Sequence, residues 1–170
     1  MIKIKAVFQT EYRLFETEHY MKKTGILFVC LGNICRSPMA EFVMKKIVAD
    51  RGLSEKFIIS SAATSAEEQG NGMHYGTRKI LKEKGIPFTQ HYARKLTKED
   101  YDKYDYIIGM DRNNIRDMTA FFGGDPDNKI HLLLSFAGVD RSVADPWYTG
   151  DFEKTYDDIL IGCKALDESL

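Results

Sequence analysis

The chain has 170 residues, 44% of them hydrophobic, and carries 24 lysines and arginines against 25 acids, a formal net charge of −1. That length suits one domain with a real core and is short for two. The near-balance of charge argues against nucleic acid or an anionic membrane as partner, no apolar run approaches spanning length, and three cysteines, two of them in one loop, make no secreted disulfide framework.

Residues 1–22 read as an N-terminal extension ahead of a domain over 23–170. Its charged start, Met1-Ile2-Lys3-Ile4-Lys5, is followed by Glu11, Arg13, Glu16 and Glu18, which interrupt any signal-peptide core, and Met21 is a plausible alternative start. Short apolar, β-branched runs then alternate with segments of helical period, the pattern of an α/β protein with a parallel sheet and crossover helices. The spacing predicts strands over 25–30, 57–61, 104–110 and 129–134. It predicts helices over 37–50, with Ala40, Val43, Met44 and Ile47 on one face, and over 74–84, stopped by Gly85. A third helix over 111–121 has Asp111 as N-cap and buries Ile115 and Met118; the last, over 151–168, aligns Phe152, Tyr156, Ile159, Cys163 and Leu166. In such sheets the site lies beyond the C-terminal ends of the strands.

The most informative stretch falls there. Cys30 closes the first apolar strand, and Arg36 follows after five residues, just where Ser37-Pro38 opens a helix. A loop entering a helix N-terminus turns several amides toward one point, and the helix dipole makes that point an anion site. A sulfur at its floor is stabilised as thiolate, a nucleophile, and the Arg36 fork matches two oxygens of a phosphate. Gly32 allows close backbone approach, Asn33 tolerates a left-handed conformation, Ser37 is placed to cap or to hydrogen-bond the sulfur, and Pro38 suits the first helical position. Phosphoryl transfer through cysteine also needs a proton donor on another loop. Two Asp-Pro pairs offer one. Asp125-Pro126 sits in a run of turn formers that explains it fully, whereas Asp145-Pro146 precedes Trp147 and Tyr148, aromatics able to wall a planar substrate, and Pro146 biases Asp145 toward an extended backbone.

The loop Cys30-Leu31-Gly32-Asn33-Ile34-Cys35-Arg36-Ser37, with Ser61-Ala62-Ala63-Thr64-Ser65, His91-Tyr92-Ala93-Arg94, Tyr106-Ile107-Ile108-Gly109-Met110-Asp111 and Asp145-Pro146-Trp147-Tyr148, resembles the low-molecular-weight protein tyrosine phosphatases over roughly residues 23 to 170. The resemblance implies a phosphotyrosine phosphatase I-like fold, a four-stranded parallel sheet in the order 2-1-3-4 flanked by helices. It implies a cytoplasmic hydrolase of phosphotyrosine proteins or aryl phosphates, without metal or other cofactor. Cys30 would be the nucleophile, with Arg36 and the amides of Leu31, Gly32, Asn33, Ile34 and Cys35 binding phosphate, and Asp145 general acid and then base. Asn33 would be held by Ser37, Ser61 and His91. The cleft would be lined by Leu31, Glu67, Trp147 and Tyr148, although Glu67 departs from the aromatic often found at that position in eukaryotic relatives. Asp111 aligns with a family acid, but capping explains it completely, and it is left outside the catalytic set.

Other readings stay in view. Arsenate reductases share this loop but relay a disulfide through further cysteines, and none lies between Arg36 and Asp145. A phosphoarginine-hydrolysing subgroup places a threonine where this chain has Ile34. A phosphate-binding module without catalysis has no need of both a nucleophile and a separate acid. Cys35 is open between a redox partner of Cys30 and a packing residue. His74 and His131 lack partners at metal-ligand spacing, Cys163 falls on an apolar helix face, and the run Arg78-Lys79, Lys82-Glu83-Lys84 reads as a solvated face.

Overall fold

The computed structural model describes residues 22–170; the extension, apart from Lys22, and the alternative start at Met21 lie outside the described residues. Four strands form one sheet: β1 (Thr24–Cys30), β2 (Phe57–Ala63), β3 (Tyr106–Gly109) and β4 (Ile130–Leu132). They lie in the order β2-β1-β3-β4, and every pairing is parallel. The expected fold class is the one observed. β1 is central, and Ile26, Leu27, Phe28 and Val29 are fully buried, because crossover helices cover both faces of a parallel sheet and leave no residue of its middle strand a wet side.

Among the described residues six helices connect and cover the strands: α1 (Arg36–Asp50), α2 (Tyr75–Glu83), α3 (Glu99–Lys103), α4 (Arg112–Phe122), α5 (Pro146–Thr149) and α6 (Phe152–Ser169). Alternation along β1 divides the core. Ile26, Phe28 and Cys30 face α1 and α6, packing with Met39, Val43, Ile159 and Cys163, while Leu27 and Val29 face α4 and pack with Tyr104, Met118 and Ile130. Each such side chain taken from water contributes about 1.5–3 kcal/mol. Gly109 lets α4 come close to β3: a Cβ there would meet Ile115 Cδ1 at 2.7 Å.

Several boundaries depart from the periodicity. The expected strand over 129–134 is cut to Ile130–Leu132 because Leu133–Ala137 curls into a 3-10 turn that buries Leu133 and Leu134 against α6. The third strand is shorter than 104–110, since Tyr104 caps α3. Pro38 is the third helical residue of α1, not the first, a position still inside the turn whose N–H groups have no helical acceptor. The largest departure is α1 itself. The sequence predicts one apolar face, yet every residue from Arg36 to Met44 is buried, because this half of the helix is wedged between β1, β2, α2 and α6. The short helices α3 and α5 are too brief to leave a periodic signal.

Candidate active site

The strands run parallel, so the segments following β1, β2 and β3 leave the sheet at the same edge. The loop after β1 curls over the N-terminus of α1 with Cys30 at its floor. Cys30 Sγ lies 3.0 Å from Ser37 Oγ and 3.3 Å from the Asn33 amide, which donates to it. The Asn33 amide, the Ser37 hydroxyl and a helix N-terminus thus converge on the sulfur. Asn33 has φ +58°, in the left-handed region, and its side chain holds that turn. Its Nδ2 donates to Ser37 Oγ and to Ser61 Oγ, both at 2.9 Å, and its Oδ1 accepts from the Arg94 amide at 3.1 Å. His91 Nε2 lies 2.8 Å from the Asn33 carbonyl oxygen. Ser61 in turn donates to Glu41 Oε2 at 2.6 Å, and Glu41 is paired with Lys45. Asn33 is fully buried; its side chain faces this network, not solvent.

Arg36, the first residue of α1, is 4% exposed and sits between two carboxylates: Nη1 donates to Asp111 Oδ2 and Nη2 pairs with Asp145 Oδ2, both at 2.7 Å. Burial works against the guanidinium charge, but Cys30, Asp145 and Asp111 outweigh it and raise the Arg36 pKa further. Cys35, five residues from Cys30, is in the opposite position. Burial, reinforced by Cys30 and Asp145, pushes its thiol up to about 12, so only one of the two loop cysteines is offered as a nucleophile. Cys163 is fully buried in the core, where burial alone pushes its thiol up.

Above the sulfur opens a cleft of about 230 Å³. Cys30, Leu31, Gly32, Ile34, Cys35 and Arg36 form its floor and near wall, and Glu67, Asp145, Trp147 and Tyr148 its far side. Trp147 and Tyr148 are 63% and 81% exposed, so they stand at the mouth as walls and not as core. Asp145 is the N-cap of α5: its Oδ1 accepts from the Trp147 amide at 3.0 Å while Oδ2 faces Arg36. Behind it the His74 ring, whose Nδ1 caps α2, stacks on Phe152 and meets Trp147 edge-on.

A family model described as low molecular weight phosphotyrosine protein phosphatase matches residues 25–170. The chain belongs to that family. It is 41% identical over 148 residues to the low molecular weight protein-tyrosine-phosphatase YfkJ of Bacillus subtilis, spanning 86% of this chain and 95% of the relative. To the human low molecular weight phosphotyrosine protein phosphatase it is 43% identical over 149 residues, 85% and 94% of the two chains. The crystal structure of YfkJ superposes with a TM-score of 0.85 at 40% identity, over 88% of this chain and 96% of the other. That of DARP, a Drosophila arginine phosphatase, gives 0.77 at 32% identity, over 88% and 97%. Members of the family are hydrolases that work through a cysteine nucleophile.

Within the phosphatase, Cys30, Arg36 and Asp145 come together from residues more than a hundred positions apart, and Ser37, Ser61 and His91 all reach Asn33 or its sulfur neighbour. Sequence reasoning left four neighbours out of the site. Asp111 does cap α4, through Oδ1 to the Asn114 amide at 2.8 Å, but its second oxygen is on Arg36, so capping is half of its explanation. Glu41 ends the network from Asn33, and Ser65 and Glu68 also line the cleft. Their position just after β2, at the same sheet edge as Cys30, is the signal by which Ser65 and Glu68 could have been found.

Proposed function

We propose that this phosphatase hydrolyses phosphotyrosine in proteins, and aryl phosphates generally, through a phosphocysteine on Cys30. The observation that carries the reading is the convergence on one cleft of a hydrogen-bonded sulfur, a buried guanidinium and a carboxylate on a separate aromatic loop. The Cys30 thiolate attacks phosphorus as the ester P–O bond breaks, and Asp145, in its acid form, gives its proton to the departing phenolate. Water then attacks phosphorus, Asp145 takes its proton, the S–P bond breaks, and inorganic phosphate leaves. Arg36 and the loop amides of residues 31–36 hold the phosphoryl oxygens throughout, a preorganised charge site. Asp111 keeps the guanidinium aimed while phosphate competes for it. Leu31, Ile34, Trp147 and Tyr148 favour a flat aromatic ester over a short alkyl one.

The cleft mouth also presents Glu67 and Glu68, and one structural neighbour is an arginine phosphatase, so phosphoarginine is the second reading. Against it, Ile34 offers no acceptor to a guanidinium, whose donors would lose water without new partners. The test is kcat/KM on matched phosphotyrosine, phosphoserine and phosphoarginine peptides. Phosphotyrosine is expected to lead clearly; equal values for phosphotyrosine and phosphoarginine reject the assignment. A free Cys30 needs a reducing compartment, which supports a cytoplasmic site of action; no helix among the described residues is long and apolar enough to cross a membrane. Residues 23–170 carry this activity, and a chain beginning at Met21 is expected to keep it.

A further inference from the structure

Between the 3-10 turn at Leu133–Ala137 and α5, residues 138–145 form no helix or strand, yet this stretch delivers Asp145 to the cleft. Proton transfer requires heavy atoms within about 2.6–3.2 Å, and a misplacement of about 1 Å can cost 10²-fold. A slack approach to Asp145 is therefore incompatible with its work. The slack is removed from behind. Asp158, on α6, has a fully buried side chain and lines no part of the cleft. Its carboxylate accepts four hydrogen bonds. Arg141 grips it with both Nη atoms, at 2.8 and 2.7 Å, and Lys154 Nζ adds a third at 2.8 Å. The fourth comes from the Ala144 amide at 3.0 Å.

One turn earlier on α6, Thr155 is also fully buried, and its hydroxyl lies 2.9 Å from the Ala144 carbonyl oxygen. Its alternative acceptor, the carbonyl of Asp151 at the N-cap of α6, is farther at 3.1 Å. The amide of Ala144 is thus held by one α6 side chain and its carbonyl by another. The Val143 amide donates to the Met110 carbonyl at 2.9 Å, tying the preceding residue to the end of β3. Ala144 is the residue before Asp145, and its carbonyl belongs to the peptide plane that joins the two, so fixing it fixes the nitrogen and Cα from which the Asp145 side chain departs. A buried carboxylate kept only for stability gains little over an apolar side chain of the same size. Here three of its four hydrogen bonds come from residues 141 and 144, the segment leading to Asp145.

We propose that Asp158 and Thr155 are positioning residues for the proton donor: they clamp the Ala144 peptide to α6 and so hold the Asp145 carboxyl over Cys30. The proposal rests on Asp145 being the general acid, and its test keeps the two apart. The measurement is kcat/KM over a series of aryl phosphates running from nitrophenols to unactivated phenols, on Asp158→Asn, Thr155→Val, Thr155→Ser and, as reference, Asp145→Asn. A well-placed acid makes the rate nearly independent of the leaving group, and a misplaced one leaves poor leaving groups to depart as anions.

Asp158→Asn is expected to lose roughly 10-fold on the poorest leaving group and under about 3-fold on the best. Thr155→Val, close in shape but without the hydroxyl, should steepen the series in the same sense by a smaller factor, and Thr155→Ser should restore the wild-type slope. The inhibition constant of inorganic phosphate should stay unchanged in all three. A fall of equal factor across the series, with or without a lower melting temperature, marks a structural role and overturns the assignment of that residue. Thr155→Val decides if Asp158→Asn does not fold. If Asp145→Asn itself leaves the slope unchanged, the acid assignment fails; if it steepens the slope and the α6 variants do not, the clamp fails alone.

Discussion

Asp125-Pro126 and Asp145-Pro146 are the same dipeptide at opposite edges of one sheet. Asp125 lies ahead of β4, at the N-terminal edge. Its Oδ1 accepts from the Tyr101 hydroxyl at 2.7 Å and the Lys129 amide at 2.8 Å, and its Oδ2 from the Ile130 amide at 3.1 Å. Partial burial opposes its charge, but these donors win and hold the carboxyl below the usual range. Asp145 lies at the C-terminal edge, where one oxygen is used on a helix cap and the other is left to a charged partner in a cleft. Proline sets the backbone before it in both places; what the carboxylate then does is set by the loops that happen to converge on it. A carboxylate surrounded by amides closes a turn. One facing a guanidinium in a cleft shared with a sulfur is available for chemistry.

The largest expected effect tests the sulfur on which the Asp145 side of the comparison depends. Cys30→Ser should abolish aryl phosphate turnover while phosphate binding persists, because a serine hydroxyl has no anion to offer in this cradle. Turnover above the level of a contaminating phosphatase ends the covalent mechanism.

Next, Asp145→Ala should lower kcat/KM by about 10²-fold or more on a poor leaving group, the range for lost general acid catalysis. Asp125→Ala should leave kcat/KM within about 2-fold. If the two variants exchange behaviour, the contrast drawn from their partners is wrong.

The same substitution has its own signature at the other edge. Asp125→Ala strands two amides and a hydroxyl in a partly buried turn, and should cost on the order of 2 kcal/mol of unfolding free energy in urea. Asp145→Ala, whose oxygens are near solvent, should cost clearly less.

The last effect, no larger than that of Asp125→Ala, concerns the α6 clamp behind Asp145. Burial opposes the Asp158 charge, but Arg141, Lys154 and the Ala144 amide bring its pKa to about 2. A folded pKa below the unfolded value of ~3.9 stabilises the fold fully above that value, and the gain is lost as pH falls toward 2. The stability advantage of wild type over Asp158→Asn should therefore shrink by on the order of 2 kcal/mol between pH 5 and pH 2. An advantage that stays constant over that window would show that charge is not what holds the clamp.

The amino-acid sequence by itself determined what depends on near neighbours. The apolar run of β1, the left-handed Asn33, Asp111 as a cap and the spacing of Cys30 and Arg36 on one loop are all local, so composition and periodicity reveal them. Strand order was legible only through the family resemblance, because the pairing of β1 with β3 joins residues 80 positions apart, as Ile26 with Tyr106. Only the tertiary structure decided that Asp111 has a second partner, that the first half of α1 is buried on all sides, and that α6 grips the residue before Asp145. Each of these is a side chain whose partner arrives from another loop, and no local rule says which loops a twisted parallel sheet will bring to one edge.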